Sequence, residues 1–240
     1  MDLLRLLEVA FIPAVASLLG GVLIVVGSPG TRLESAIQHF AAGAVLAAVA
    51  ELLADLNGHD AWVILAGLIG GVVFVLGMEY GTDVVEERAT ERSVSSVAGL
   101  LIAMGLDTLL DGFLAGLLVG ALVHGGLVLV LAFAVEMLSF GLAAGAALPN
   151  SVSASRLLGT TTALGVVFPI GMLVGVGLAS GLSGAAIGFV IALGVSVLIY
   201  LVTDELLAEA REDYESTGTL LSFFAGFILL YAFYLFQNGT

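Results

Sequence analysis

Two aspartates, Asp107 and Asp111, lie near the middle of an apolar run of the chain from about 94 to 123. They are four residues apart, so on a helix they occupy the same face, one turn above the other. A carboxylate at the centre of a bilayer costs at least about 2.5–3.5 kcal/mol, and two on one face also repel each other. The pair therefore predicts a midplane site that is neutralised by a cation. In the alternative interpretation one aspartate is protonated and hydrogen-bonded between helices, with a purely structural role.

The next apolar run carries Glu136 near its centre, with Ser139 three residues later on the same face. The row formed by Thr108, Gly112, Gly116 and Gly120 runs beside the aspartates, and small residues let a second helix approach closely. If the two runs pack together, their polar side chains form one oxygen-rich cluster: Asp107, Thr108, Asp111, Glu136 and Ser139. Hard oxygen ligands suit Mg²⁺, Mn²⁺ or Fe²⁺ at least as well as Zn²⁺.

The elements that must position this cluster are membrane-spanning helices. The chain has 240 residues, of which 60% are hydrophobic and 11% are charged, so a soluble domain could not bury its apolar surface. It has no cysteine, which excludes a disulfide framework and a thiolate metal site. We predict one all-α transmembrane domain over residues 1–240 with eight helices, at about 7–27, 36–55, 61–80, 94–123, 126–148, 157–180, 184–207 and 218–236. Only the connection from Gly81 to Ser93 is long and charged.

The arginines predict the orientation of the helices. Five of the six lie in connections 1–2, 3–4, 5–6 and 7–8, and only Arg5 lies on the opposite side. The positive-inside rule places those four connections in the cytoplasm and both termini outside the cell membrane.

An internal similarity predicts an inverted repeat. The second segment ends in ELLAD, from Glu51, and the seventh ends in ELLAE, from Glu205. The two segments run in opposite senses, which indicates a 3+2+3 arrangement with segments 1–3 related to segments 6–8. Glu51 is then expected to line the outer approach to the central site and Glu205 the inner one.

The overall charge limits the partners. With 20 acidic residues, no lysine and a net charge of −14, the chain is typical of a protein from a high-salt organism, and nucleic acid is not an expected partner. The expected partners are the lipid bilayer and divalent metal ions, and a homodimer is left open. The three histidines, His39, His59 and His124, lie at or near connections and are interpreted as exposed polar residues.

The sequence resembles the ZIP (zinc/iron-regulated transporter-like) family of metal transporters over nearly its whole length. HFAAG from His39 and ELLAD from Glu51 are similar to the family's second helix, and DELLAE from Asp204 is similar to its seventh helix, DELLPE. DTLLDG from Asp107 aligns with the fourth-helix motif HNxxDG. VEMLS from Val135 falls where the fifth helix has HExPE, and FPIG from Phe168 falls where the sixth has EPxG.

The resemblance implies transport of a divalent cation of the Zn, Fe or Mn type by alternating access, with no catalytic activity and no resident cofactor. Asp107 and Thr108 replace a histidine and an asparagine of the family motif, whereas Asp111 and Glu136 are kept. Val135, Ser139 and Phe168 replace other family ligands, so the resemblance implies one metal site instead of two, without imidazole. The alternatives are a degenerate ZIP-like sensor or scaffold, and an intramembrane aspartyl hydrolase, whose Gly-x-Gly-Asp sequence does not occur here.

Overall fold

The computed structural model describes residues 3–27, 30–91, 96–122, 126–146, 148, 152–208, 210 and 216–238, and His124 lies outside them. Within these residues the chain is helical and contains no strand, and eight helices are long and apolar enough to cross a membrane. The predicted all-α, multi-pass membrane fold is thus confirmed. The helices are α1 Leu3–Gly27, α2 Thr31–Asp55, α3 Ala61–Glu91, α4 Ser96–Ala121, α5 Leu127–Ala146, α6 Ala154–Ala179, α7 Ala185–Tyr200 and α8 Thr217–Asn238.

The predicted boundaries hold to within about five residues, except at the ends of α3 and α7. The seventh helix was predicted to end at about 207; α7 ends at Tyr200 and a π-helical turn, Leu201–Leu206, follows it. The segment after Gly81, predicted to be a long charged connection, continues α3 as far as Glu91. The prediction of a connection there was wrong, because the apolar stretch ends near residue 80 whereas the helix continues. Between Gly81 and Glu91 the sequence contains neither proline nor glycine, so nothing in the backbone chemistry stops the helix where its apolar span ends.

The helices pack in a small number of close pairs. The most extensive contacts join α4 to α6, α2 to α8, α1 to α5, and α3 to α7, and α1 also packs along α6. The α4–α5 contact is much smaller. The carboxylates of α4 and α5 therefore face each other across a gap and not across a tight seam.

The small-residue row of α4 makes its close contact with α6. A Cβ atom added at Gly112 or Gly116 would overlap the carbonyl oxygens of Phe168 and Met172. The contact is reciprocal, because a Cβ at Gly171 of α6 would overlap the backbone of α4 in the same way. The prediction of a close helix contact at this row is confirmed, with α6 as the partner. Since α4 is held from one side by α6, its aspartate row is left facing the interior of the bundle.

Candidate metal site

A cavity of about 540 Å³ lies between α4, α5 and the end of the seventh helix. Its polar wall consists of five side chains: Asp107, Glu136, Ser139, Asp204 and Glu205. Its lining comes from the first half of α4, the second half of α5 and the helical turns that follow α7. Because the helices cross in alternating directions, these parts all lie on the side of connections 3–4, 5–6 and 7–8. We call this the arginine side.

A second, smaller cavity of about 110 Å³ adjoins the first. Asp107, Leu201 and Glu205 line both cavities and form their common wall. Asp111 lines only the small one, which also receives Glu79 from α3 and Tyr200 from α7. The residues that line the small cavity come from three helices and from the turn that follows α7. No single sequence motif contains them all.

The two deepest carboxylates of the site are only partly satisfied. Asp111 is 7% exposed and Glu136 is 5% exposed. Oδ2 of Asp111 and Oε2 of Glu136 have no hydrogen-bond partner among the described residues. A buried carboxylate oxygen without a partner costs about 1–3 kcal/mol or more, so it must be compensated by a proton, a water or a cation.

The acidic side chains are close enough to interact electrostatically. Asp111 interacts with Asp107, Glu136 and Glu205, and Glu136 interacts with Glu205 and Asp107. We call these four residues the carboxylate cluster. Like charges gathered in a low-dielectric interior repel strongly, and a divalent cation relieves that repulsion by direct coordination.

A distorted helical turn presents Glu205 to both cavities. Residues Leu201–Leu206 form a π-helical turn directly after α7, and the backbone N–H of Leu207 donates to the carbonyl of Val202, five residues back. The hydroxyl of Thr203 donates to the carbonyl of Ile199 at 2.9 Å, a contact that favours a bend in a helix. Turns of this kind are frequent at functional sites. Here the turn brings three consecutive residues, 204–206, to one cavity wall.

Buried apolar side chains form a layer on the other side of the cluster. Leu114 and Leu118 continue α4 away from the arginine side, and both are 2% exposed or less. The rings of Phe133 and Phe168 lie 5.5 Å apart, and both residues are 1% exposed. The sixth helix therefore contributes an aromatic ring at the position where the ZIP motif has a glutamate.

Two predicted site residues lie away from the cluster. Thr108 is fully buried, lines neither cavity, and donates its hydroxyl to the carbonyl of Met104 at 2.8 Å. Glu51 is 4% exposed and lines neither cavity. It accepts a hydrogen bond from the backbone N–H of Leu129 in the first turn of α5, where helical N–H groups lack intrahelical partners. Glu51 thus caps the first turn of α5, at the end of the bundle opposite the arginine side, and its expected place on an outer approach stays a prediction.

The remaining five predicted residues, Asp107, Asp111, Glu136, Ser139 and Glu205, lie together around the two cavities. Glu205 was expected on the inner approach to the central site, and in the structure it is one of the four members of the carboxylate cluster.

Sequence reasoning missed Glu79 and Tyr200. The Tyr200 hydroxyl donates to Oε1 of Glu79 at 2.6 Å, and both side chains line the small cavity. Glu79 lies at the edge of an apolar run, where an acidic residue is ordinarily in contact with water. The available signal was Tyr200, a polar-tipped aromatic residue at the end of the apolar part of the seventh segment.

The site fits a partly hydrated hard cation better than a compact metal centre. Among the residues that the structure describes, no group of three His, Cys, Asp or Glu side chains stands in a metal-binding arrangement. Mg²⁺ and Mn²⁺ bind through one or two carboxylates and retain several waters, which the larger cavity can hold. Zn²⁺ sites normally collect four protein ligands with nitrogen or sulfur among them, and the cluster provides neither.

No protein-family model matches the sequence, and no curated protein shows significant similarity to it. The ZIP resemblance therefore rests on the local motifs described above.

Proposed function

We propose that this protein is a multi-pass transporter of divalent metal cations that works by alternating access. The observation that carries the proposal is the carboxylate cluster, in which Asp111 and Glu136 each hold an unpartnered buried oxygen. The cluster borders a cavity on the arginine side and an apolar layer on the other. A site closed on one side and reachable from the other is what one state of an alternating-access cycle requires.

The packing pairs support an inverted-repeat mechanism. If helices 1, 2, 3 and 4 correspond to helices 6, 7, 8 and 5, the α1–α5 pair corresponds to α6–α4, and the α2–α8 pair corresponds to α7–α3. All four pairs are among the most extensive in the molecule. The 3+2+3 arrangement inferred from the repeated ELLA sequence is therefore part of the proposal.

The arginine distribution supports the orientation. Under the positive-inside rule the arginine side faces the cytoplasm, both termini lie outside the cell membrane, and the large cavity opens inward. The cargo is a divalent cation such as Mn²⁺, Fe²⁺ or Zn²⁺, and the oxygen-only donors favour a smaller preference for Zn²⁺ than an imidazole site would have.

One observation favours a second candidate, a non-transporting sensor or scaffold. The lack of a three-ligand group among the described residues is what a degenerate site would also display. In that case the cluster binds metal weakly, or binds only protons, and no cycle follows.

Cation uptake by proteoliposomes separates the two. Purified protein in vesicles that contain a metal-quenched dye should take up Mn²⁺ at a rate that saturates with concentration. Glu136→Gln should lower the rate at least tenfold, because it removes one of the two deepest charges of the cluster. Glu8→Gln, at an exposed position of α1, is the matched control and should transport normally. Equal uptake by protein-free vesicles and by vesicles with the wild-type protein would refute the transport proposal.

A further inference from the structure

A cavity of about 550 Å³ lies at the beginning of α6, away from the carboxylate cluster. Its polar lining residues are Arg156 and Thr160, and its walls include Leu148, Val152, Ala163 and Val167. Among the residues that the structure describes, no acidic residue lines it. In a chain with a net charge of −14, a cavity with one cation and no carboxylate is an unusual environment.

The polar groups of this cavity are available to a ligand. Arg156 is exposed and forms no ion pair with any residue that the structure describes. The neighbouring Thr161 and Thr162 donate their hydroxyls to backbone carbonyls one turn earlier. The Thr160 hydroxyl makes no such bond within the described parts of the chain. A guanidinium and a free hydroxyl one turn apart are suited to the oxygens of a phosphate.

The apolar part of the cavity follows the helix into the membrane. Arg156 lies in the first turn of α6, at the end of an apolar span over Ala154–Ala179. Gly159, Ala163 and Val167 continue along the helix at four-residue spacing, so they form one row. From Arg156 to Val167 the helix rises about 16 Å, which is roughly half of the hydrocarbon thickness of a bilayer. The row thus has the length of one leaflet.

Gly159 leaves this face of α6 open. A Cβ atom added there would meet nothing within 4 Å, so no side chain among the described residues covers the helix at this point. We call the face between Arg156 and Val167 the groove; it combines a cation at the membrane interface with an apolar row about as long as one leaflet is thick.

We propose that this groove binds one anionic phospholipid, with its phosphate on Arg156 and Thr160 and one acyl chain along the row of Gly159, Ala163 and Val167. Basic residues at the membrane surface attract anionic lipid headgroups. Arg156 supplies such a charge at the end of an apolar helix face, in a chain whose net charge is −14. This inference depends on the membrane fold and is independent of the proposed transport.

Native mass spectrometry of the detergent-solubilised protein tests the inference. Phosphatidylglycerol and phosphatidylcholine are added in equal amounts. The wild-type protein should then retain one phosphatidylglycerol molecule in preference to phosphatidylcholine. Arg156→Gln should weaken phosphatidylglycerol binding about fivefold, the effect of removing one basic residue. It should weaken phosphatidylcholine binding less, because the choline cation already offsets the phosphate charge of that lipid.

Two further variants test the acyl-chain groove. Gly159→Phe should fill it and weaken the binding of both lipids. Gly177→Phe, on the same helix and also with open space around an added Cβ, should bind as the wild type does. Thermal unfolding without lipid checks that each variant is folded. Equal phosphatidylglycerol retention by the wild type and Arg156→Gln, or displacement of the lipid by inorganic phosphate alone, would overturn the proposal.

Discussion

Replacing Asp111 by Asn changes the charge of the candidate metal site with almost no change in volume. The wild-type side chain is 7% exposed and has an unpartnered Oδ2. Its carboxylate interacts with those of Asp107, Glu136 and Glu205. The substitution keeps one oxygen ligand and removes one formal charge. Metal affinity and the stability of the metal-free protein should therefore change in opposite directions.

The expected loss of affinity follows from the charges. Two unit charges about 4 Å apart at an effective dielectric constant of about 20 interact by about 4 kcal/mol, and a divalent cation doubles this value. Much of it is offset, because the substitution also removes repulsion from three carboxylates and leaves less charge to desolvate. We expect a net loss of about 2–3 kcal/mol, which is about a 30- to 150-fold weaker Kd for Mn²⁺.

The metal-free protein should become no less stable. The asparagine side chain of the Asp111→Asn variant carries no charge, so the melting temperature in chelator should stay the same or rise, in line with about 1 kcal/mol of relieved burial cost. Isothermal titration calorimetry gives the affinity, and repetition in buffers of different ionisation enthalpy counts the protons that the metal displaces. Asp204→Asn, at an exposed position of the same cavity, is the matched control and should change the Kd by less than about threefold. Unchanged Mn²⁺ affinity with a lower melting temperature would show that Asp111 is a structural hydrogen-bonding acid, which would refute the argument.

Three further changes test the topology, the helix packing and the role of Glu51. A cysteine introduced at Gly239 should react with a membrane-impermeant thiol reagent in intact cells and one at Ser153 should not; the reverse pattern would invert the orientation. Gly116→Leu should unfold at a lower temperature by several degrees or fail to fold, because its Cβ position is occupied by the backbone of α6, whereas Gly77→Leu has open space; equal melting temperatures would contradict the packing. Glu51→Gln should leave Mn²⁺ affinity unchanged and Glu51→Ala should destabilise the protein by about 1 kcal/mol, since only Gln keeps the cap on α5; weaker binding by the Gln variant would make Glu51 a ligand.

The sequence could predict those residues of the site that place a charge inside an apolar membrane-spanning segment. Asp107, Asp111 and Glu136 interrupt long apolar runs. The free-energy cost of burying a carboxylate in a membrane can therefore be recognised from the sequence alone. Their membership of one cluster also follows, because the runs are consecutive in the chain. Glu79 could not be separated from an ordinary interfacial acid, because only its hydrogen bond to Tyr200 shows where it points.

The sequence predicted that α4 makes a close contact with another helix, but it did not identify that helix. The four-residue glycine spacing of α4 indicates a close contact, and it does not say with which helix. The complementary signal is present in α6, where Gly171 and Gly175 have the same spacing and would overlap the backbone of α4 if they carried a Cβ atom. However, α5 has the same spacing at Gly141 and Gly145, which pack against α1, so the spacing alone could not choose between α5 and α6 as the partner of α4. The π-helical turn at Leu201–Leu206 had no comparable signal, since its residues are ordinary in composition.

The burial of the carboxylates changes in steps along the route that the proposed function requires. Asp204 is exposed, Asp107 and Glu205 are half-buried where the two cavities meet, and Asp111 and Glu136 are almost fully buried. Taking a hydrated divalent cation into a low-dielectric interior at once is prohibitive, because the solvation cost is not repaid until ligands are in place. A graded series of carboxylates lets the cation exchange waters for oxygen ligands one or two at a time. In the proposed cycle, the same gradient lets a cation held by Asp111 and Glu136 leave, since the next pair of carboxylates lies in the adjoining wall.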